Sequence, residues 1–80
     1  MTETEILKKL DVIFREVFDD DELTLSMSTS AKDIDEWDSL NQIKIILACE
    51  REFTIRIRPR QVNELKDIGE MVAFIADRIN

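Results

Sequence analysis

From Glu3 to Phe18 the apolar residues Ile6, Leu7, Leu10, Ile13, Phe14, Val17 and Phe18 recur every three or four positions, with polar residues between them. That spacing lines one face of a helix of 3.6-residue period and predicts a helix over 3–18. Asp19-Asp20-Asp21-Glu22 ends it, because like charges sit badly at the negative end of a helix dipole. The periodicity then lapses over 19–38, a stretch rich in Ser, Thr and Asp with isolated apolar residues at Leu23, Leu25, Met27, Ile34 and Trp37. A connection of about twenty residues is long for a compact domain. Its apolar residues predict a packed loop anchored on the core.

Helical periodicity returns from Ser39 to Phe53. Thr54-Ile55-Arg56-Ile57 alternates like a strand but has nothing to pair with, so it reads as a loop. Pro59 opens a short helical turn to about Asn63. Asp67 caps a final helix whose buried stripe is Ile68, Met71, Val72, Ile75 and Ile79, with Gly69 tolerated in the first turn. The expected fold is all-α, a small bundle of three principal helices plus one short helix, in a single domain over 1–80. A long loop joins the first and second helices.

The second helix has more apolar surface than a core needs. At about 100° per residue, Ile45, Ile46, Cys49 and Phe53 form one sector and Leu40, Ile43 and Leu47 an adjacent one. The first faces the core. The second either meets a partner or ligand cleft, or is buried between neighbouring elements. Trp37 is expected to fold back on the bundle, and Cys49 to act as a small hydrophobe.

Composition removes whole classes of chemistry. There is no His, so no Ser/His or Cys/His nucleophilic pair and no mixed Cys/His zinc site. An EF-hand loop from Asp19 or Asp33 would place Thr24 or Asp38 where Gly is needed and Ser30 or Lys44 where Glu is needed, so no metal site is expected. One Cys and a polar, acidic start without a signal pattern favour the cytoplasm, and no apolar run is long enough for a membrane span. A net charge of −7 disfavours nucleic acid. The second helix is nonetheless balanced, with Lys44 and Arg51 against Glu50 and Glu52.

Asp38-Ser39-Leu40 stands where the long loop enters the second helix. The positive end of the helix dipole makes a phosphodiester electrostatically welcome there. Ser39-Leu40-Asn41-Gln42 also fits a capping box, in which Ser39 would merely cap the helix.

The whole pattern resembles the acyl carrier protein family: a helix, a long loop, Asp-Ser-Leu opening a second helix, Phe53 closing it, Ile55-x-Ile57 and Pro59 before a short helix, then a last amphipathic helix. Leu40, Ile43, Leu47, Phe53, Ile57 and Leu65 stand at the family's spacings. The resemblance implies that Ser39 accepts 4′-phosphopantetheine from coenzyme A through a phosphopantetheinyl transferase, and that Asp38 helps the transferase recognise the site and its magnesium. The arm would hold an acyl group as a thioester for acyl-loading and acyl-processing enzymes. The chain would then be a monomeric carrier and not an enzyme, which agrees with the lack of a base near Ser39. Leu40, Ile43, Lys44 and Leu47, with Ile57 and Leu65, would serve partner docking or line an acyl cleft.

Carriers of bacterial fatty acid synthesis typically present an acidic second helix, whereas this chain has Asn41, Lys44 and Arg51 there, followed by Arg56, Arg58 and Arg60. That departure suggests a specialised carrier for a dedicated pathway. Two other readings remain: an aminoacyl, peptidyl or D-alanyl carrier, and an unmodified helical adaptor with Ser39 as helix cap.

Overall fold

A computed structural model describes residues 1–79. Its elements are α1 (Glu3–Phe18), a single 3₁₀ turn (Ala31–Asp33), α2 (Ser39–Phe53), α3 (Pro59–Asn63) and α4 (Ile68–Ile79). No strand occurs among the described residues, and Thr54–Ile57 is a loop as predicted. The 3₁₀ turn has no periodic signature in the sequence.

α1 packs against both α2 and α4, and α3 lies on α2. The innermost side chains are Ile6, Leu10 and Phe14 from α1, Ile45 and Cys49 from α2, and Ile68, Val72 and Ile75 from α4. Burying each large aliphatic or aromatic side chain contributes roughly 1.5–3 kcal/mol. The core sector assigned to α2, Ile45, Ile46, Cys49 and Phe53, is buried throughout. Cys49 behaves as a hydrophobe: burial pushes its thiol up to about 12, so it stays protonated at neutral pH.

α1 and α2 both end on a non-glycine residue in the left-handed region, Asp19 (φ 51°) and Thr54 (φ 53°). Asp tolerates this conformation, whereas a β-branched Thr does not adopt it readily. At Thr54 the turn is held from several sides: its N–H donates to Glu50 O, as does that of Ile55, and the Glu50 carboxylate accepts the Ile57 N–H at 2.9 Å.

The long loop is fastened at several points. Arg15 Nε donates to Leu23 O at 2.6 Å and Leu25 N–H donates to Asp11 Oδ1 at 2.8 Å, so polar groups of α1 hold its first half. Leu25 is buried there, while Leu23 and Ile34 are half-buried. Trp37 packs edge-on against Phe14, with ring centroids 5.1 Å apart and planes at 82°. This is the expected return of the tryptophan to the bundle. Met27 is a correction, because its side chain is 41% exposed. Its backbone does the anchoring: Met27 O accepts the Gly69 N–H at 2.7 Å, and Thr29 O accepts the Ile68 N–H at 2.8 Å.

Candidate functional site

The last residues of the loop are stapled to the first turn of α2. Asp38 has extended backbone, and its Oδ1 accepts the Asn41 N–H at 2.9 Å while its carbonyl accepts the Gln42 N–H at 2.9 Å. Asp38 is therefore the helix cap. The capping box that Ser39-x-x-Gln42 also fits does not form: Gln42 Oε1 instead accepts the indole N–H of Trp37. Asn41 Nδ2 donates back to Glu36 O at 2.7 Å. Sequence reasoning missed these roles of Asn41 and Gln42, although Asp38 is as good a cap residue as Ser39.

Ser39 is thus the first residue of α2, relieved of capping duty. It is exposed, and its hydroxyl makes no hydrogen bond among the described residues. The N–H groups of Ser39 and Leu40 have no acceptor among the described residues either. The hydroxyl sits beside two free backbone donors at the positive end of a helix dipole. Among the described residues no carboxylate or amine hydrogen-bonds it, and the two aspartates that line the same cleft, Asp38 and Asp67, are engaged at helix starts.

Trp37, Asp38, Ser39 and Gln42 form one wall of a cleft of about 330 Å³, opposite Val62, Leu65, Lys66 and Met71. Val62 and Met71 also border an apolar seam inside the bundle, walled by Ile45, Ile46, Cys49, Ile57, Phe74 and Ile75. The seam encloses only about 10 Å³, at most the room of one water molecule. Open cleft and closed seam share a partition of two side chains.

The other candidate residues separate by environment. Leu40, Ile43 and Leu47 are 63%, 50% and 55% exposed, and Lys44 is exposed among them. The second apolar sector of α2 is therefore not buried between neighbours. Leu65 is half-buried in the cleft beside Ser39, and Ile57 is buried in the seam. Neither of the α2 carboxylates lies on the exposed apolar face: Glu50 holds the Ile57 N–H, and Glu52 pairs with Lys9 of α1 at 3.0 Å.

A family described as a phosphopantetheine attachment site matches residues 8–75. The chain is 35% identical to an acyl carrier protein of Cyanidium caldarium, over 100% of this chain and 93% of the relative. It is 31% identical to one of Acidothermus cellulolyticus, over 96% and 92% of the two chains. The structure is similar to the solution NMR structure of a holo acyl carrier protein from Geobacter metallireducens, with a TM-score of 0.83 and 37% identity. That likeness covers 91% of this chain and 84% of the other.

Proposed function

The chain belongs to the acyl carrier protein family, with its covalently attached 4′-phosphopantetheine, and we propose that Ser39 is the residue that carries this arm. The observation that carries the reading is the division of labour at the start of α2: Asp38 caps the helix, leaving the Ser39 hydroxyl exposed and unbonded above the cleft. Attachment makes a bond from Ser39 Oγ to the phosphorus bearing the pantetheine and releases the adenosine bisphosphate portion of coenzyme A. The transferase takes up the hydroxyl proton. The residues here fit a phosphodiester, because the free N–H groups of Ser39 and Leu40 stand at its base and Lys66 lines the same cleft. Asp38 fixes the first turn and offers the transferase a carboxylate beside the acceptor.

Bound there, the arm supplies a terminal thiol on which an acyl group travels as a thioester. Ser39 holds the tether, Leu65 and Met71 offer apolar contact along the cleft, and Leu40, Ile43 and Leu47 present a docking face to the acyl-processing enzymes. The chain is substrate and vehicle, not catalyst, and works as a cytoplasmic monomer. The basic and neutral residues of α2, Asn41, Lys44 and Arg51, support a dedicated pathway apart from housekeeping fatty-acid synthesis. An aminoacyl cargo shares the mechanism, and the closed seam favours it over a long chain, since a small cargo stays within the open cleft.

Intact mass before and after incubation with a broad-specificity phosphopantetheinyl transferase, coenzyme A and magnesium tests the assignment. The parent should gain one phosphopantetheinyl group and Ser39→Ala none. A folded, helical parent that gains nothing returns the chain to the adaptor reading.

A further inference from the structure

Charge is distributed along this chain in a way that its net value hides. From Met1 to Asp38 four Lys and Arg stand against twelve Asp and Glu, whereas from Ser39 to Lys66 six stand against three. An acidic first half thus adjoins a basic middle. Within α2 the basic residues are interleaved with the exposed apolar ones. At about 100° per residue, Ile43, Leu47, Leu40, Arg51 and Lys44 fall in that order within an arc of about 100°, opposite the buried Cys49. All five are exposed, and no carboxylate shares the arc. Glu50 lies just outside it, committed to the Ile57 N–H, and Glu52 is turned to Lys9. Lys44 and Arg51 have no ion-pair partner among the described residues.

We propose that this strip docks a partner-enzyme surface of matching chemistry, an apolar patch rimmed by Asp and Glu, and so selects acidic over basic partner faces. The proposal deepens the carrier reading and rests on it for the identity of the partner as an enzyme that works on the arm. Apolar contacts of Leu40, Ile43 and Leu47 supply the desolvated centre of such an interface, and the two cations at its edge set orientation and discrimination. The charge complement follows from the unpaired cations. A basic face would bring like charges against Lys44 and Arg51, while an acidic face pairs them. Of the carboxylates of residues 1–38, Asp38 caps the start of α2 and lies within a screening length of Leu40, about 8 Å at physiological salt, at the end of the helix remote from Arg51. Their repulsion makes the preference orientational, since an acidic partner is driven from the acidic half and accepted on α2.

The test uses two synthetic amphipathic helices with the same leucine stripe, one flanked by glutamates and one by lysines. Each is titrated into the folded protein, with backbone amide shifts followed by NMR. The glutamate helix should bind saturably, shift the amides of residues 40–51, and bind about tenfold or more tightly than the lysine helix. Lys44→Glu with Arg51→Glu should reverse the preference, and Leu47→Ala should weaken both helices; all three positions are exposed, and circular dichroism checks that the variants remain folded. Equal or tighter binding of the lysine helix, or shifts confined to α1 and the 19–22 loop, would overturn the proposal. So would concentration-dependent self-association lost in the charge-reversed variant, because the occupant would then be a second copy of the chain. The mass measurement on Ser39 is independent of this titration. Arm attachment without the glutamate preference removes the docking proposal alone; the preference without arm attachment removes the carrier reading and leaves a docking face.

Discussion

α2 and α4 begin with the same chemistry and end up in opposite conditions. Each is capped by an aspartate whose Oδ1 accepts an N–H three residues on, Asp38 from Asn41 and Asp67 from Glu70, both at 2.9 Å. Each cap carbonyl also accepts the N–H four residues on. The two N–H groups between differ. At α4 they are taken by the long loop, Ile68 by Thr29 O and Gly69 by Met27 O, so that helix start is sealed by backbone. At α2 the corresponding donors, Ser39 and Leu40, have no partner among the described residues, and the hydroxyl of Ser39 stands exposed beside them. One loop thus closes one helix start and leaves the other available. The cap residue does not distinguish a structural junction from a functional one; what covers the next two residues does.

Filling the sealed junction should have the largest effect on stability. A Cβ added at Gly69 would stand 2.9 Å from Met27 O and 3.3 Å from Asp67 Oδ1, so the loop must lift from α4. Gly69→Val is expected to destabilise by about 2 kcal/mol or more. Gly69→Ala should cost about 1 kcal/mol net, because the better helix propensity of Ala offsets part of the clash. Ser39→Ala, at the open junction, should stay within about 0.5 kcal/mol. Urea unfolding monitored by helical circular dichroism reads all three. A stabilising Gly69→Ala would mean that the loop carbonyl does not constrain α4.

Removing the caps gives a smaller effect and sharpens the contrast. Asp67→Ala and Asp38→Ala should each cost about 1 kcal/mol, since each removes one carboxylate-to-backbone bond at a helix start. Their effects on arm attachment should differ: Asp67→Ala loads at the parental rate, and Asp38→Ala loads more slowly. Equal rates for the two variants would confine Asp38 to a structural role.

The sequence showed the bounds of every α-helix, because each apolar stripe is local and runs out at a cap, a charge run or a proline. It also separated the two sectors of α2, though not whether the second was exposed. The cap of α2 is ambiguous in the sequence for a local reason: Asp-x-x-Asn at 38–41 and Ser-x-x-Gln at 39–42 are offset by one residue, and the choice between them depends on Trp37. That indole packs edge-on against Phe14, distant in sequence, and in that position donates to Gln42. The role of Gly69 was illegible because the atom it makes room for, Met27 O, is distant in sequence. Met27 looked like a side-chain anchor when its carbonyl was the anchor. Spacing patterns record which side chains face inward, and they carry no trace of a backbone group meeting another element.

α1 offers a third kind of helix start and the smallest effect, one that pH controls. Thr2 and Glu5 close it reciprocally: Glu5 N–H donates to Thr2 Oγ1 at 3.2 Å, while the N–H and hydroxyl of Thr2 donate to Glu5 Oε1 at 2.9 and 3.0 Å. The Thr2 N–H, and secondarily its hydroxyl, hold the carboxyl of Glu5 below the ordinary value of 4.5. A depressed folded-state pKa stabilises the protein above the unfolded value, and that contribution is lost as pH falls through the folded one. Thr2→Ala removes the hydroxyl but keeps the backbone N–H, so the depression of Glu5 should shrink without vanishing. Side-chain carboxyl titration by NMR measures this directly. An unchanged Glu5 in Thr2→Ala would assign the whole shift to the backbone N–H; a complete return to the ordinary value would mean that the hydroxyl organises the turn itself. Either result places α1 between the other two helix starts, closed by its own residues where α4 is closed by the distant loop and α2 keeps two donors and a hydroxyl free.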